Sequence, residues 1–252
     1  AISVELTTLG LRDDILELDR RELQRPNGLI LNTGPTGSGK TTTLYAFLKA
    51  ILNPELKIIT IEDPIEYRIA GIEQTQVHPD AGYTFAGGLR AMLRQDPDVI
   101  LVGEIRDKET ADMAMQASLT GHLVLSTLHA NDAVSSIPRL RDLGEAPETI
   151  GPSLTLIIAQ RLVRILCPKC KKVAAASAAL KSGVEKLLAR LPAAVDRAPY
   201  KKWVIYESVG CPGCNGLGYR GRKGIFEFLE VTPALQELIL KKTSEPSIRK
   251  LA

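Results

Sequence analysis

Gly34-Pro35-Thr36-Gly37-Ser38-Gly39-Lys40-Thr41 decides the fold of this 252-residue chain. The apolar run Gly28-Leu29-Ile30-Leu31-Asn32 precedes it and reads as a strand, and Thr42 to Leu52 follow as a helix. A glycine loop between a strand and a helix is the setting in which Gly-x4-Gly-Lys-Thr cradles phosphate. The glycines let successive N–H groups turn inward, and the helix N-terminus adds its positive end. Gly34, Pro35, Thr36, Gly37, Ser38, Gly39, Lys40, Thr41 and Thr42 are therefore the expected nucleotide contacts. Lys40 suits the β- and γ-phosphates, and the Thr41 hydroxyl suits Mg²⁺. No Asn-Lys-x-Asp guanine-reading motif occurs, so ATP rather than GTP is the expected ligand.

Working outward, short apolar runs recur at Leu29–Asn32, Lys57–Ile61, Val99–Val102 and Leu123–Thr127. Runs without polar alternation suit strands buried on both faces of a parallel sheet. Helical stretches lie between them, Ala111–Leu119 and Pro138–Leu143 among them, which makes this an α/β domain. Leu154–Leu166 is also expected to be helical. Residues 1–27 hold one amphipathic helix, with Asp13 and Asp14 suiting its first turn. The opening Ala1-Ile2-Ser3-Val4-Glu5 shows no signal peptide and reads as the remnant of a preceding domain.

Two of these strands run into acids. Ile58-Ile59-Thr60-Ile61 leads to Glu62-Asp63-Pro64-Ile65-Glu66, and Val99-Ile100-Leu101-Val102 leads to Gly103-Glu104-Ile105-Arg106-Asp107. A carboxylate at a strand end beside a phosphate loop can order the Mg²⁺ shell or polarise the attacking water. Gly103 stands where an Asp often ends such a strand, so Glu104 must supply the acid. Asp63, Glu66, Asp98 and Asp107 suit helix caps equally well. His129 closes the run Thr120-Gly121-His122-Leu123-Val124-Leu125-Ser126-Thr127-Leu128-His129 at the ligand side of an open sheet, where it can sense a γ-phosphate. His122 lies at the opposite end and is a second sensor candidate. His78 reads as structural.

The bulk numbers bound the rest. A net charge of +3, four Phe and one Trp give no basic, aromatic-rich face, so no nucleic-acid partner is expected. No run approaches the roughly 20 apolar residues of a membrane span, which makes a cytoplasmic setting the default. The only cysteines form Cys167-Pro-Lys-Cys170 and Cys211-Pro-Gly-Cys214. Two such knuckles with none left over suit a closed, structural tetrahedral Zn²⁺. Beyond Cys167, Ala174–Leu191 is helical by propensity, Pro192, Pro199 and Pro212 break the chain, and Ala234–Leu240 is expected as a terminal helix.

Together these segments resemble the secretion ATPases of type II secretion and type IV pilus assembly. Gly34–Thr43 is similar to the family's Walker A. Ile61–Tyr67 with Gln74-Thr75-Gln76-Val77 is similar to its aspartate box. Leu93–Asp107 is similar to its Walker B, and Thr120–Asp132 to its histidine box, with Ala130 where Thr is commoner. Ala159-Gln160-Arg161-Leu162-Val163-Arg164 is a further family phrase. The resemblance implies a RecA-like P-loop core working as a homo-hexamer, with Lys40 in the catalytic group, Glu62 or Glu104 as its catalytic acid, and His129 near the γ-phosphate. It implies arginines that complete a neighbouring site, largely in a preceding domain, with Arg90, Arg94 and Arg106 as the candidates here. The tetracysteine favours an assembly rather than a retraction ATPase.

The expected division is 1–27 as a linker remnant and 28–166 as the RecA-like ATPase domain. A zinc-binding tetracysteine subdomain over 167–222 and a C-terminal helical subdomain over 223–252 complete it. The function implied is ATP hydrolysis coupled to assembly of a pilus or secretion pseudopilus. The partners implied are an inner-membrane platform protein and a cytoplasmic adaptor, which would hold the motor peripherally on the inner membrane. The alternative is a RecA-like nucleic-acid motor or a zinc-containing nucleic-acid-binding ATPase.

Overall fold

The computed structural model describes residues 5–191, 195–242 and 244–251. Ala1–Val4 and Pro192, both used in the sequence reading, lie outside them. In chain order the elements begin α1 (Asp13–Leu23), β1 (Gly28–Thr33), α2 (Lys40–Ile51), β2 (Ile58–Glu62), β3 (Glu73–Gln76) and α3 (Phe85–Leu93). There follow β4 (Val99–Val102), α4 (Lys108–Leu119), β5 (Leu123–Leu128), α5 (Ser136–Asp142), α6 (Pro147–Ser153) and β6 (Leu154–Leu166). The chain ends with β7 (Lys172–Ala174), α7 (Ala178–Ala189), β8 (Ile205–Glu207), β9 (Tyr219–Glu230), α8 (Pro233–Leu240) and α9 (Glu245–Leu251).

Packing divides the chain into two compact units, residues 1–162 with 224–252, and residues 163–223. The first is built on a seven-stranded sheet ordered β3-β2-β4-β5-β1-β6-β9. The pairs β2–β3, β2–β4, β4–β5, β5–β1 and β1–β6 are parallel. Every residue of β1, β2, β4 and β5 is buried, as their unbroken apolar runs require.

Alternation along these strands feeds two cores. Ile30, Leu101, Leu125 and Ile158 face one way, onto Leu44, Phe47 and Leu48 of α2. Leu29, Leu31, Ile100, Val102 and Val124 face the other, onto Leu89 and Met92 of α3 and Ala111, Ala114 and Met115 of α4. Each large side chain so buried contributes about 1.5–3 kcal/mol. The small Ala residues let α4 lie close to the strands. Residues 224–252, set apart by the sequence reading, pack within this unit, and Leu229, Val231, Leu235, Ile239 and Ile248 join the second core.

Leu154–Leu166 is a strand, not the expected helix. Its 13 residues, Leu-Thr-Leu-Ile-Ile-Ala-Gln-Arg-Leu-Val-Arg-Ile-Leu, carry β-branched side chains at five positions, which crowd a helix and suit a sheet. The deciding term is non-local: β6 supplies the second neighbour of β1, pairing Ile30 with Leu156 and Thr33 with Ala159.

In the second unit β7 and β8 pair antiparallel, and α7 is capped by Ser177, whose hydroxyl accepts the Leu180 N–H. Residues 163–223 hold thirteen Lys and Arg against three Asp and Glu. The small net charge of the whole chain therefore hides a strongly basic segment.

Candidate active site

Site residues collect where β1, β2, β4 and β5 end. Thr33 closes β1, the loop runs from Gly34 to Gly39, and Lys40 opens α2. Gly34 and Gly39 have φ of +145° and +91°. A Cβ on Gly34 would lie 2.4 Å from the Gln160 carbonyl oxygen, and one on Gly39 would lie 2.9 Å from Gln160 Nε2. Left-handed backbone favours glycine at both positions, and at Gly34 the close approach of main chain demands it as well. Pro35, Thr36, Gly37, Thr41 and Thr42 are exposed, open to a ligand, whereas Ser38 is buried and its hydroxyl has no partner among the described residues. Lys40 Nζ donates to the carbonyls of Gly34 (2.9 Å) and Pro35 (3.2 Å). Burial lowers the Lys40 pKa, and the nearby negative charge of Glu104 opposes that shift.

The two candidate acids sit in different surroundings. Glu62 is 2% exposed. It accepts hydrogen bonds from Tyr45 of α2, from Thr60 Oγ1 at 2.5 Å and from Gln74 Nε2 of β3 at 3.1 Å. Burial, then that bond to Glu62, pushes the Tyr45 phenol up, so it stays a donor. Glu104 lies just past β4. One of its oxygens pairs with Arg106, and the other is 3.4 Å from His129 Nε2. Arg106 also reaches Asp63 at 3.7 Å. Glu104 is therefore the acid grouped with Lys40, Arg106 and His129, while Glu62 is tied into the seam between α2 and β3.

Gly103 has its own reason. A Cβ there would come within 3.2 Å of the Ile61 carbonyl, and the Gly103 N–H bonds that same carbonyl at 2.8 Å. An Asp at this point would have to push the backbone of β2 aside by a few tenths of an ångström.

Two residues that the sequence reading gave no role brace the loop. The Thr33 hydroxyl donates to the Leu128 carbonyl (2.9 Å) and accepts from the Ala130 N–H (2.8 Å), so it grips the backbone on both sides of His129. Gln160 Oε1 accepts from Asn32 Nδ2 (3.1 Å) and Thr43 Oγ1 (2.8 Å). The segment after His129 is tied further by Arg161 to the Asn131 carbonyl, by Glu227 to the Ala133 N–H, and by Arg249 to Asp132 at 2.6 Å. The phrase Ala159–Arg164 pointed to Gln160, but its partners Asn32 and Thr43 lie more than a hundred residues away in sequence.

Other candidates fall elsewhere. His122 immediately precedes β5 at the far end of the sheet, with Nδ1 3.0 Å from the Ala117 carbonyl. His78 forms a backbone bridge with Tyr83. Arg90 pairs with Glu109 at 3.0 Å, and Arg94, exposed at the end of α3, has no ion pair among the described residues. Asp107 caps α4 through the Thr110 N–H, Asp98 accepts from the Lys57 N–H, and Glu66 is exposed.

In the second unit the Sγ atoms of Cys167, Cys170, Cys211 and Cys214 lie within 4.8 Å of one another. Cys214 Sγ is 3.8 Å from that of Cys170 and 3.7 Å from that of Cys211. A tetrahedron of thiolates with bonds of about 2.3 Å to zinc has edges of about 3.8 Å. Burial raises the Cys214 pKa, but N–H donors from Cys211 and Gly218 and the neighbouring thiols outweigh it and lower the thiol to about 6. The donor set and spacing fit a structural Zn²⁺.

A family model described as "Type II/IV secretion system protein" matches residues 1–252. The chain is 52% identical to the type II secretion system ATPase E of Vibrio cholerae serotype O1, over 99% of this chain and 48% of that protein. It is 45% identical to the type IV pilus assembly ATPase PilB of Myxococcus xanthus, over 100% of this chain and 43% of that protein. The chain thus spans about half the length of these curated relatives. Among solved structures it resembles the pilus retraction motor PilT with bound ADP. The TM-score is 0.68 at 33% identity, covering 100% of this chain and 59% of that one.

Proposed function

Because the chain belongs to the type II/IV secretion system protein family, we propose that it is the ATP-hydrolysing part of a motor that assembles a type IV pilus or a type II secretion pseudopilus. The observation that carries this reading is the gathering of Lys40, Glu104, Arg106 and His129 beside an open phosphate loop. Lys40 leaves its two carbonyl partners to pair with the β- and γ-phosphates, and the loop N–H groups and the α2 N-terminus receive the rest of the charge. Thr41, exposed in the first turn, holds Mg²⁺. The Glu104 carboxylate takes a proton from the attacking water, and His129, beside it, contacts the γ-phosphate. Arg106 holds Glu104 in place until phosphate draws it off.

The RecA-like unit works as a homo-hexamer whose rigid-body motions pass to an inner-membrane platform protein through a cytoplasmic adaptor. The complex sits peripherally at the membrane, in keeping with the absence, among the described residues, of any helix long and apolar enough to cross one. Residues 163–223 hold a structural Zn²⁺ on their four cysteines. Lys40→Ala is expected to lower MgATP turnover at least about 100-fold while shifting Tm by only a few degrees. Specific activity is expected to rise with protein concentration and to stay unchanged on adding DNA or RNA at low salt. Full turnover by Lys40→Ala would sink the assignment, and strong stimulation by nucleic acid would redirect it.

A further inference from the structure

We propose that Gln160 is a positioning residue for the phosphate loop, setting nucleotide affinity without touching the nucleotide. The inference rests on the reading of Gly34–Thr41 as a nucleotide loop. Gln160 lies on β6 beside the end of β1 and is 3% exposed. One atom, Oε1, accepts from Asn32, two residues before the loop, and from Thr43, four residues after Gly39. These are its two flanks, the last turn of strand and the first turn of helix. The Gln160 carbonyl oxygen approaches Gly34 so closely that a Cβ there would clash with main chain, and Gln160 Nε2 lies against Gly39, where a Cβ would displace it. A single side chain therefore touches both arms of the loop and sets the distance between them.

That distance matters because phosphate affinity comes from N–H groups already aimed at one point. Preorganisation lowers the ordering cost at binding, so a brace that holds the loop ends appears in affinity rather than in chemistry. Removing the Gln160 acceptor leaves the Asn32 amide and the Thr43 hydroxyl buried without a partner, and both sit on segments that must hold their spacing.

The test is calorimetric titration of the full chain with MgADP, alongside thermal melts without nucleotide. Gln160→Ala is expected to weaken MgADP binding about tenfold or more. Thr43→Val, which removes one of the two donors and keeps the volume, is expected to weaken it about threefold, and Thr43→Ser to bind like the parent. Thr155→Val serves as control, since Thr155 is buried on the same strand but contacts Leu29 rather than the loop. It is expected to lower Tm and leave MgADP affinity alone. A merely structural role for Gln160 would lower Tm and spare affinity, as in the control. Parent-like affinity in Gln160→Ala overturns the proposal; should that variant not fold, parent-like affinity in Thr43→Val does so. A parent chain that binds no MgADP overturns the nucleotide reading itself, a result separate from any difference among variants.

Discussion

Glu62 and Glu104 carry the same group at the ends of adjacent strands, and their neighbours give them different work. Glu62 already receives Tyr45, Thr60 and Gln74, whereas Glu104 faces Arg106 and His129. Glu104→Gln should lower kcat by about 100-fold or more with little change in Tm. Glu62→Gln places a donor among three donors and should cost about 1–3 kcal/mol of stability, read from denaturant melts, with the smaller loss of turnover. The reverse pattern would exchange their roles. Sequence could name both acids but not rank them, because Tyr45 and Gln74 reach Glu62 from other elements.

Asp19 gives a further test at this scale. It is 1% exposed on α1, neither of its oxygens has a partner among the described residues, and burial lifts its pKa from 3.8 to about 7. The folded chain therefore binds a proton that the unfolded chain releases between those values. Its stabilising share is whole below about pH 4, falls as pH rises to about 7, and is gone above, a change on the order of a few kcal/mol. Asp19→Asn should accordingly melt higher than the parent at pH 8 and close to it at pH 4.

At the scale of elements, β1, β2, β4 and β5 were legible because strands covered on both faces leave unbroken apolar runs. β6 was not, since thirteen mostly apolar residues fit either a helix or a strand and only pairing with β1 chooses. The strand, glycine loop and helix around Gly34–Thr41 were legible from their own residues, while the braces Thr33 and Gln160 depend on which strands become neighbours. The segment after His129 shows how elements share control of the site, with ties from β1, β6, β9 and α9. Arg249 and Asp132 are partly exposed, so their pair is worth under about 1 kcal/mol. Arg249→Ala should thus leave Tm nearly unchanged and lower kcat several-fold. An unchanged kcat would show that α9 does not help to place His129.

Across the whole molecule, a net charge of +3 conceals residues 163–223, which are strongly basic. An average over a chain of two units describes neither. The four cysteines belong wholly to that basic unit, and purified protein should carry about one zinc per chain by elemental analysis. Cys214→Ser should lose the metal and render residues 163–223 sensitive to protease, while MgADP affinity holds to within about twofold. The chain leaves the first unit at residue 162 and re-enters it at 224, on strands that are neighbours in one sheet. A segment hung between adjacent strands is a cassette. Replacing residues 163–223 by a two-residue Asn-Gly turn should yield a shorter protein that still folds, and the same junction should accept a foreign domain whose own ends lie close together.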